Sequence, residues 1–467
     1  MTRFREGPLA AAEEAGRTPL ERAIQHEKRA RGHYLRGDYP ATVEELSRCL
    51  ETGTVPEHKD LRMRLLILQS LRRFGKQDEA WTALRELESR YGKSGEKYIQ
   101  NLLLNEKEIQ EGRVKIESFP TRLTVRPTSR CSVHCIMCTF WKETPWDMPQ
   151  KTLDEVADLY PYLEDILWQG GEPFEMNREV LERILLRGRD YPRMLQNFIT
   201  NGQHIDERWA EILVSMNVHM KISIDGTTAE VYEKIRVKSS FEKILASIRN
   251  LNNEMARQNR RIGFWIHMVV QRLNYHQITD MIEFAHRHGF DGVALSPMEG
   301  DLYRKIDVFN YGDPEIWRSI EDQRARARQM CLDYGIYLED NMPPPPSPDD
   351  KPHAMSEEEN EKRFSLYPMP FEDGARYVSK EYSYFCLSPW KNMILRNGGG
   401  VLPNWHCGER YIGSIHESSL LEIWNGEPMQ SVRRAIIERR FGGVCRNFCL
   451  SGALMETWKH HMEWYWS

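Results

Sequence analysis

The chain has little of what marks membrane, secreted or nucleic-acid-binding proteins. No apolar run in it approaches the roughly 20 residues that a membrane-spanning helix needs, so no membrane partner is expected. Its first residues, Met1-Thr2-Arg3-Phe4-Arg5-Glu6-Gly7-Pro8, lack the apolar core of a secretory signal, and a cytoplasmic location is expected. The formal net charge is only −5, from 64 basic and 69 acidic residues, which offers no general nucleic-acid surface. Cysteine is sparse and odd in number, 9 residues in 467. In a reducing compartment such a count favours metal ligation over a disulfide framework.

What is present is a globular composition, 40% hydrophobic and 28% charged, long enough for two or three domains. Three of the cysteines, Cys131, Cys135 and Cys138, stand at i, i+4 and i+7. Three thiolates can hold a four-iron cluster and leave one iron open, and an open position is where chemistry happens. The same spacing also fits one face of a helix, where cysteine packs as a small apolar residue. The context separates the two readings. Thr121 to Arg126 alternates as a strand and Pro127 to Arg130 breaks it, so the triplet begins in a loop past a strand end. In α/β folds such loops bind ligands.

Residues 1–20 are polar and small, and are expected to form a flexible N-terminus. Residues 21–118 carry helical periodicity. Two similar turns there, at Gly37 and Gly75, lie 38 residues apart. They resemble a pair of tetratricopeptide-like repeats, and a plain helical bundle fits as well. Either is a docking or capping module. Strand patterns at Asp165–Trp168, Asn197–Thr200, His219–Ile224, Gly263–Val270 and Gly292–Leu295 then alternate with helical ones. This predicts an α/β fold with a parallel sheet, a partial (β/α)6 TIM-like barrel over 119–335. A proline-rich, charged linker is expected at 336–380, and a small irregular C-terminal domain at 381–467. Gly170-Gly171-Glu172-Pro173 follows a strand; its glycines let backbone approach a ligand and Glu172 offers a carboxylate, although an ordinary turn has the same composition. The C-terminal region holds Cys386, Cys407, Cys445 and Cys449, a full ligand set for a closed site of zinc or of iron and sulfur.

Taken together these residues resemble the radical S-adenosylmethionine (radical SAM) superfamily. Cys131-x3-Cys135-x2-Cys138 matches its cluster motif and Gly170-Gly171-Glu172-Pro173 its second motif. Ser223-Ile224-Asp225-Gly226, with Arg236 behind it, is similar to its fourth-strand segment, and Val270-Gln271 with Asn274 to its fifth. The late cysteines, with Pro389-Trp390, Gly413-x-Ile415 and Glu422-Ile423-Trp424-Asn425, resemble the SPASM or shorter twitch extension. Two departures stand out: Met137 occupies a place where the family often has an aromatic ring, and the last cysteine pair is spaced x3 instead of x2.

The resemblance implies a [4Fe–4S] cluster on Cys131, Cys135 and Cys138, whose open iron chelates S-adenosylmethionine (SAM) and cleaves it to methionine and a 5′-deoxyadenosyl radical. Glu172 and the Gly170-Gly171 backbone would meet the SAM amine, and Arg236 its carboxylate. Ser223, Asp225 and Asn274 would serve as ribose or amine contacts, and Val270-Gln271 as the adenine edge. Cys386, Cys407, Cys445 and Cys449 would hold one auxiliary [4Fe–4S] cluster acting as electron acceptor. Cys49 and Cys331 are left for packing. The implied enzyme is a radical SAM oxidoreductase served by a flavodoxin- or ferredoxin-type reductant. It would oxidise or cross-link a peptide or protein, or alternatively dehydrogenate or epimerise a sugar or small metabolite. A different class, a non-catalytic helical-repeat adaptor with zinc-binding cysteines, remains as the contrast. No catalytic acid or base stands out, and His134 is expected beside the cluster or facing solvent.

Overall fold

A computed structural model describes residues 18–35, 37–298, 305–309, 313–343, 386–407, 410–438 and 440. Five helices come first: α1 (Pro19–Leu35), α2 (Tyr39–Glu51), α3 (Glu57–Arg73), α4 (Gln77–Tyr91) and α5 (Lys97–Glu111). Each packs against the next. The expected turns at Gly37 and Gly75 separate α1 from α2 and α3 from α4. Helix α2 shows how such a start is specified. The Asp38 carboxylate accepts from the Ala41 N–H at 3.2 Å, and Pro40 sits in the first turn, where a missing N–H costs nothing. Leu46, Cys49, Leu68, Leu84 and Leu102 give these helices a core of their own.

The strands are β1 (Arg122–Val125), β2 (His134–Cys135), β3 (Asp165–Trp168), β4 (Leu195–Thr200), β5 (Val218–Ser223), β6 (Arg236–Val237), β7 (Gly263–Val270), β8 (Gly292–Pro297), β9 (Tyr337–Asp340), β10 (Asn392–Leu395), β11 (Gly400–Leu402) and β12 (Gly413–Ser414). Ten of them form one sheet in the order β12-β11-β10-β1-β3-β4-β5-β7-β8-β9. All strands from β10 to β9 in that order run parallel. Crossover helices, among them α6 (Gln150–Asp158), α7 (Arg178–Leu186), α8 (Glu207–Val214), α9 (Ala229–Ile235), α10 (Phe241–Gln258), α11 (Ile278–Arg287) and α12 (Pro314–Tyr334), link the strands. The outward-facing residues of the strands, such as Leu123, Val125, Ile166, Phe198, Met220 and Ile266, pack with the helices into one apolar core.

The expected βα units are present, and the sheet continues beyond them on both sides. β9 lies inside the stretch expected as linker, because Tyr337–Asp340 pairs with Gly292–Leu295. The proline-rich remainder, 344–385, lies outside the described residues, as does the expected flexible start up to residue 17. On the other side the C-terminal region contributes β10, paired in register with β1. Helices α13 (Ser388–Lys391), α14 (Leu420–Trp424) and α15 (Glu427–Ile437) complete that part. No helix among the described residues is long and apolar enough to cross a membrane.

The five N-terminal helices cover the starts of the strands. Leu195, first in β4, packs on their core. Arg31 lies over the ring of Tyr337, first in β9, at 5.5 Å. Asn101 exchanges hydrogen bonds with Phe119, just before β1. Asn105 donates to the Trp390 carbonyl at 2.6 Å, just before β10. The centre of this seam is Glu106, fully buried between Arg72 and Lys391, each at 2.8 Å. Burial pushes the Glu106 carboxyl up, but the two cations outweigh it and hold it down to about 2.

Candidate active site

The loop after β1 carries the cysteine triplet. It leaves the sheet at Arg126, and within it His134–Cys135 pairs antiparallel with Arg236–Val237, setting Cys135 opposite Arg236. This short pairing explains how two segments a hundred residues apart meet. The Arg236 guanidinium donates to the Cys135 sulfur at 3.6 Å and lies 2.7 Å from the Asp225 carboxylate. Burial works to lower the Arg236 pKa, yet the Asp225 and Cys135 charges outweigh it and raise it. Asp225, just past β5, also accepts from the Val269 N–H at 2.7 Å. Asn274 donates to the carbonyls of Asp225 (3.0 Å) and Val269 (2.9 Å), and accepts from the Gln271 N–H at 2.7 Å. The Gln271 side chain reaches the Met137 sulfur at 3.9 Å, while its buried Oε1 has no hydrogen-bond partner. Ser223 ends β5 beside His267 of β7, and Val270 ends β7 as a fully buried apolar residue.

The glycine pair is set by a steric limit. Gly170 has φ +137, a conformation other residues avoid. A Cβ on Gly171 would lie 2.2 Å from the Arg130 carbonyl oxygen and 2.5 Å from that of Ser129. Only hydrogen fits between the β3 end and the loop leading to Cys131. Glu172 is buried at 1% exposure, and its carboxylate takes the Thr200 hydroxyl at 2.7 Å and the Asn201 N–H at 2.6 Å. It thereby fixes the β4 end. Asn201 in turn donates to the Cys131 sulfur at 3.7 Å. Burial, then the charges of Glu172 and Cys135, push the Cys131 thiol up to about 12. Burial raises Cys135 likewise. Bound iron reverses this balance, since a coordinated thiol is deprotonated outright.

These residues fit an iron–sulfur cluster. Three free thiols share one loop, and two buried N–H donors, from Asn201 and Arg236, are aimed at their sulfurs. Hydrogen bonds to cluster sulfurs are what tune such centres. Among the described residues no three cysteine, histidine or acidic side chains close on a single metal ion. A cubane does not ask for that, because each thiolate binds a separate iron.

Every expected SAM contact therefore lies at the carboxyl ends of β3, β5 and β7 or in the short loop around β6, beside the cysteine loop that follows β1. Asn201, at the end of β4, joins the cluster loop through its bond to Cys131, and no sequence motif singled it out. A second polar group missed there is His204, 2.7 Å from Glu175, with the Ser132 hydroxyl at 3.1 Å on the same ring nitrogen. The hydrogen bond to His204 is the largest influence holding Glu175 down, at about 2. His134 is half-buried and stacks on Trp141 at 4.4 Å. Of the C-terminal cysteines, Cys386 leads into α13 and Cys407 follows β11, while Cys445 and Cys449 lie outside the described residues. Cys49 and Cys331 are both buried in apolar cores.

Fold and site together define an α/β partial-barrel protein with a cysteine-held cluster loop at its strand ends. Residues 125–292 match the model of the radical SAM superfamily, and residues 386–449 match that of an iron-sulfur cluster-binding domain, SPASM. The chain carries a radical SAM domain and a C-terminal SPASM domain, which imply a [4Fe–4S] cluster with SAM and auxiliary iron–sulfur at the second domain. It is 28% identical over 181 residues to the mycofactocin maturase MftC of Mycolicibacterium smegmatis, covering 36% of this chain and 43% of that one. It is 26% identical over 200 residues to an uncharacterised protein of Methanocaldococcus jannaschii, covering 40% of this chain and 68% of that one. The chain thus spans less than half the length of the maturases it matches. In fold it is similar to SuiB of Streptococcus suis bound to S-adenosylmethionine, with a TM-score of 0.50 at 16% identity, over 81% of this chain and 84% of that one.

Proposed function

We propose that the chain is an oxidoreductase that abstracts a hydrogen atom from a peptide or protein substrate and leaves it oxidised or cross-linked. The observation that carries this reading is the convergence of the Cys131–Cys138 loop with Arg236, Asp225, Gln271 and Asn274, joined by hydrogen bonds into one group. The similarity to maturases favours a peptide-derived substrate. When bound, the cluster and SAM supply the 5′-deoxyadenosyl radical. The chain's residues do the rest. Cys131, Cys135 and Cys138 hold the irons. Arg236 offers a planar fork to a carboxylate and is kept charged by Asp225. Gly170-Gly171 lets backbone carbonyls approach an ammonium, and Glu172 sets the β4 loop beneath it. Cys386, Cys407, Cys445 and Cys449 make a four-ligand set for one auxiliary cluster serving as electron acceptor, with a flavodoxin- or ferredoxin-type protein as reductant.

The test is anaerobic reconstitution with iron and sulfide, reduction, and measurement of 5′-deoxyadenosine with peptide pools and with sugar pools. Peptide-dependent turnover with a two-electron mass change in the product supports the reading. Turnover with sugars alone, or zinc in place of iron, overturns it.

A further inference from the structure

Arg126 lies between the segments that carry Cys138 and Cys407, and among the described residues it forms no ion pair. It follows β1 directly, and by alternation shares the face of Thr124, opposite the core residues Leu123 and Val125. Its guanidinium carbon lies 4.7 Å from the ring centre of Phe140, two residues past Cys138, and 4.4 Å from that of Trp405, two residues before Cys407. One cation thus touches the segments that carry both sites. Its stem rests on the glycine motif: a Cβ at Gly170 would fall 3.2 Å from the Arg126 Cβ and 3.3 Å from its Cγ.

A second cation stands beside it. Val125 pairs in register with Leu395, so Arg126 and Arg396 leave adjacent strand ends. Burial and then Arg396 lower the Arg126 pKa to about 10. Glu143, the acid that most opposes this, accepts from the Asn397 side chain at 3.1 Å. Arg396 donates to the Tyr411 hydroxyl at 3.1 Å. Among the described residues no ion pair of Arg126 is found, and its Nε is buried without a hydrogen-bond acceptor. Arg126 is half-buried, and a guanidinium whose Nε is shut off from water without an acceptor carries a cost. Costs of this kind persist where a ligand supplies the missing partner. A planar fork of donors selects a planar, two-oxygen anion, and the aromatic rings of Phe140, Trp405 and Tyr411 suit an amphipathic chain around it.

We propose that Arg126, with Arg396 beside it, is a receptor for a carboxylate of the substrate, held between the SAM-binding loop and the C-terminal cysteine site. This deepens the reading of the chain as a peptide-modifying enzyme and rests on it. The carboxylate can be a Glu or Asp side chain or a peptide C-terminus.

The test uses the full reconstituted chain with SAM and three fluorescein-labelled tripeptide libraries, read by anisotropy. One has a central Glu and an amidated C-terminus, one a central Gln and an amidated C-terminus, and one a central Gln and a free C-terminus. Wild type should bind one of the two acidic libraries at least about tenfold tighter than the neutral one, and which of the two identifies the carboxylate. Arg126→Gln should bring that ratio to near one, while Arg126→Lys, which keeps the charge and checks that the site still folds, should keep part of it. An unchanged ratio in Arg126→Gln overturns the proposal. So does a tenfold loss of SAM affinity in that variant with the peptide preference intact, because Arg126 would then hold the SAM carboxylate. The underlying reading fails separately, if wild type forms no 5′-deoxyadenosine with any peptide, and the binding ratio can still be read in that case.

Discussion

At the N-terminal ends of the strands, charges meet in pairs. Glu106 lies between Arg72 and Lys391, Arg122 lies 3.2 Å from Asp165, and Asn101 and Asn105 satisfy the backbone where β1 and β10 begin. At the carboxyl ends the accounts are left open. Gln271 has an acceptor without a donor, Arg126 a donor without an acceptor, and three thiols stand free on one loop. Both ends are buried and polar, so burial alone does not distinguish them. Each end also leaves single polar atoms without a partner, Asn105 Oδ1 and Asn392 Oδ1 at the strand starts among them; what differs is that the three free thiols of one loop gather at the carboxyl ends. A satisfied network rigidifies, whereas an unsatisfied one stores affinity for whatever completes it. The α/β barrel separates the two tasks along one axis, stability at one end and chemistry at the other.

The largest break in this comparison comes from the triplet. Replacing Cys131, Cys135 or Cys138 by Ala should abolish 5′-deoxyadenosine formation and reduce iron from about eight to about four atoms per chain. Unfolding of the opposite end should be unchanged by denaturant titration. Retained cleavage in any of the three variants would mean that the ligands lie elsewhere.

Glu106→Gln attacks the other end. It leaves Arg72 and Lys391 buried against a neutral amide, and should cost about 3–5 kcal/mol in urea unfolding. The pH dependence has a definite sign. The folded carboxyl sits at about 2, below its ordinary value of 4.5, so the folded state holds the proton less tightly than the unfolded chain does. Its contribution is therefore full above the ordinary carboxylate range and is lost as pH falls from about 4.5 towards 2. The Gln variant should show a flatter acid limb across that window. Equal acid sensitivity in both proteins would show that Glu106 is not what ties the helices to the sheet.

Gly171→Ala tests the site by shape alone. With carbonyl oxygens 2.2 and 2.5 Å from the new Cβ, the backbone must move, at an overpacking cost of about 1–3 kcal/mol. The movement falls on the Ser129–Arg130 segment that leads to Cys131, so SAM affinity by equilibrium dialysis should fall more than tenfold while melting shifts by only a few degrees. A variant with native SAM affinity would remove the glycine pair from the site.

The strands and the cysteine loop could be read from sequence because their signals are local. Strand patterns at Asp165–Trp168 and Gly263–Val270 gave both strands at the boundaries observed, and the x3-x2 cysteine spacing is a short-range pattern. β9 and β10 were missed because their partners are distant: Tyr337–Asp340 is half-exposed and is a strand only through β8, and Asn392–Leu395 only through β1. The same holds for Arg126. In the sequence it is the last residue of an alternating run; its meaning comes from Phe140, Gly170 and Trp405, which only the fold brings to it. The Arg236–Cys135 contact also escaped spacing arguments, since a two-residue β-pairing carries no periodicity.

The smallest effect sharpens the division most. Asp38 caps α2 through the Ala41 N–H, in the helical module at the strand starts. Asp38→Ala should cost about 1 kcal/mol of stability, the usual loss of a cap. If the helices serve only to close the strand starts, SAM cleavage without substrate and peptide affinity should both stay at wild-type values. A change in peptide affinity at unchanged cleavage would instead show that the helices reach the substrate, directly or through Arg73, which Tyr39 of α2 holds and whose charge acts on Cys386. Glu106→Gln cannot make that distinction, since it also disturbs Lys391 and, through Trp390, the segment that carries Cys386.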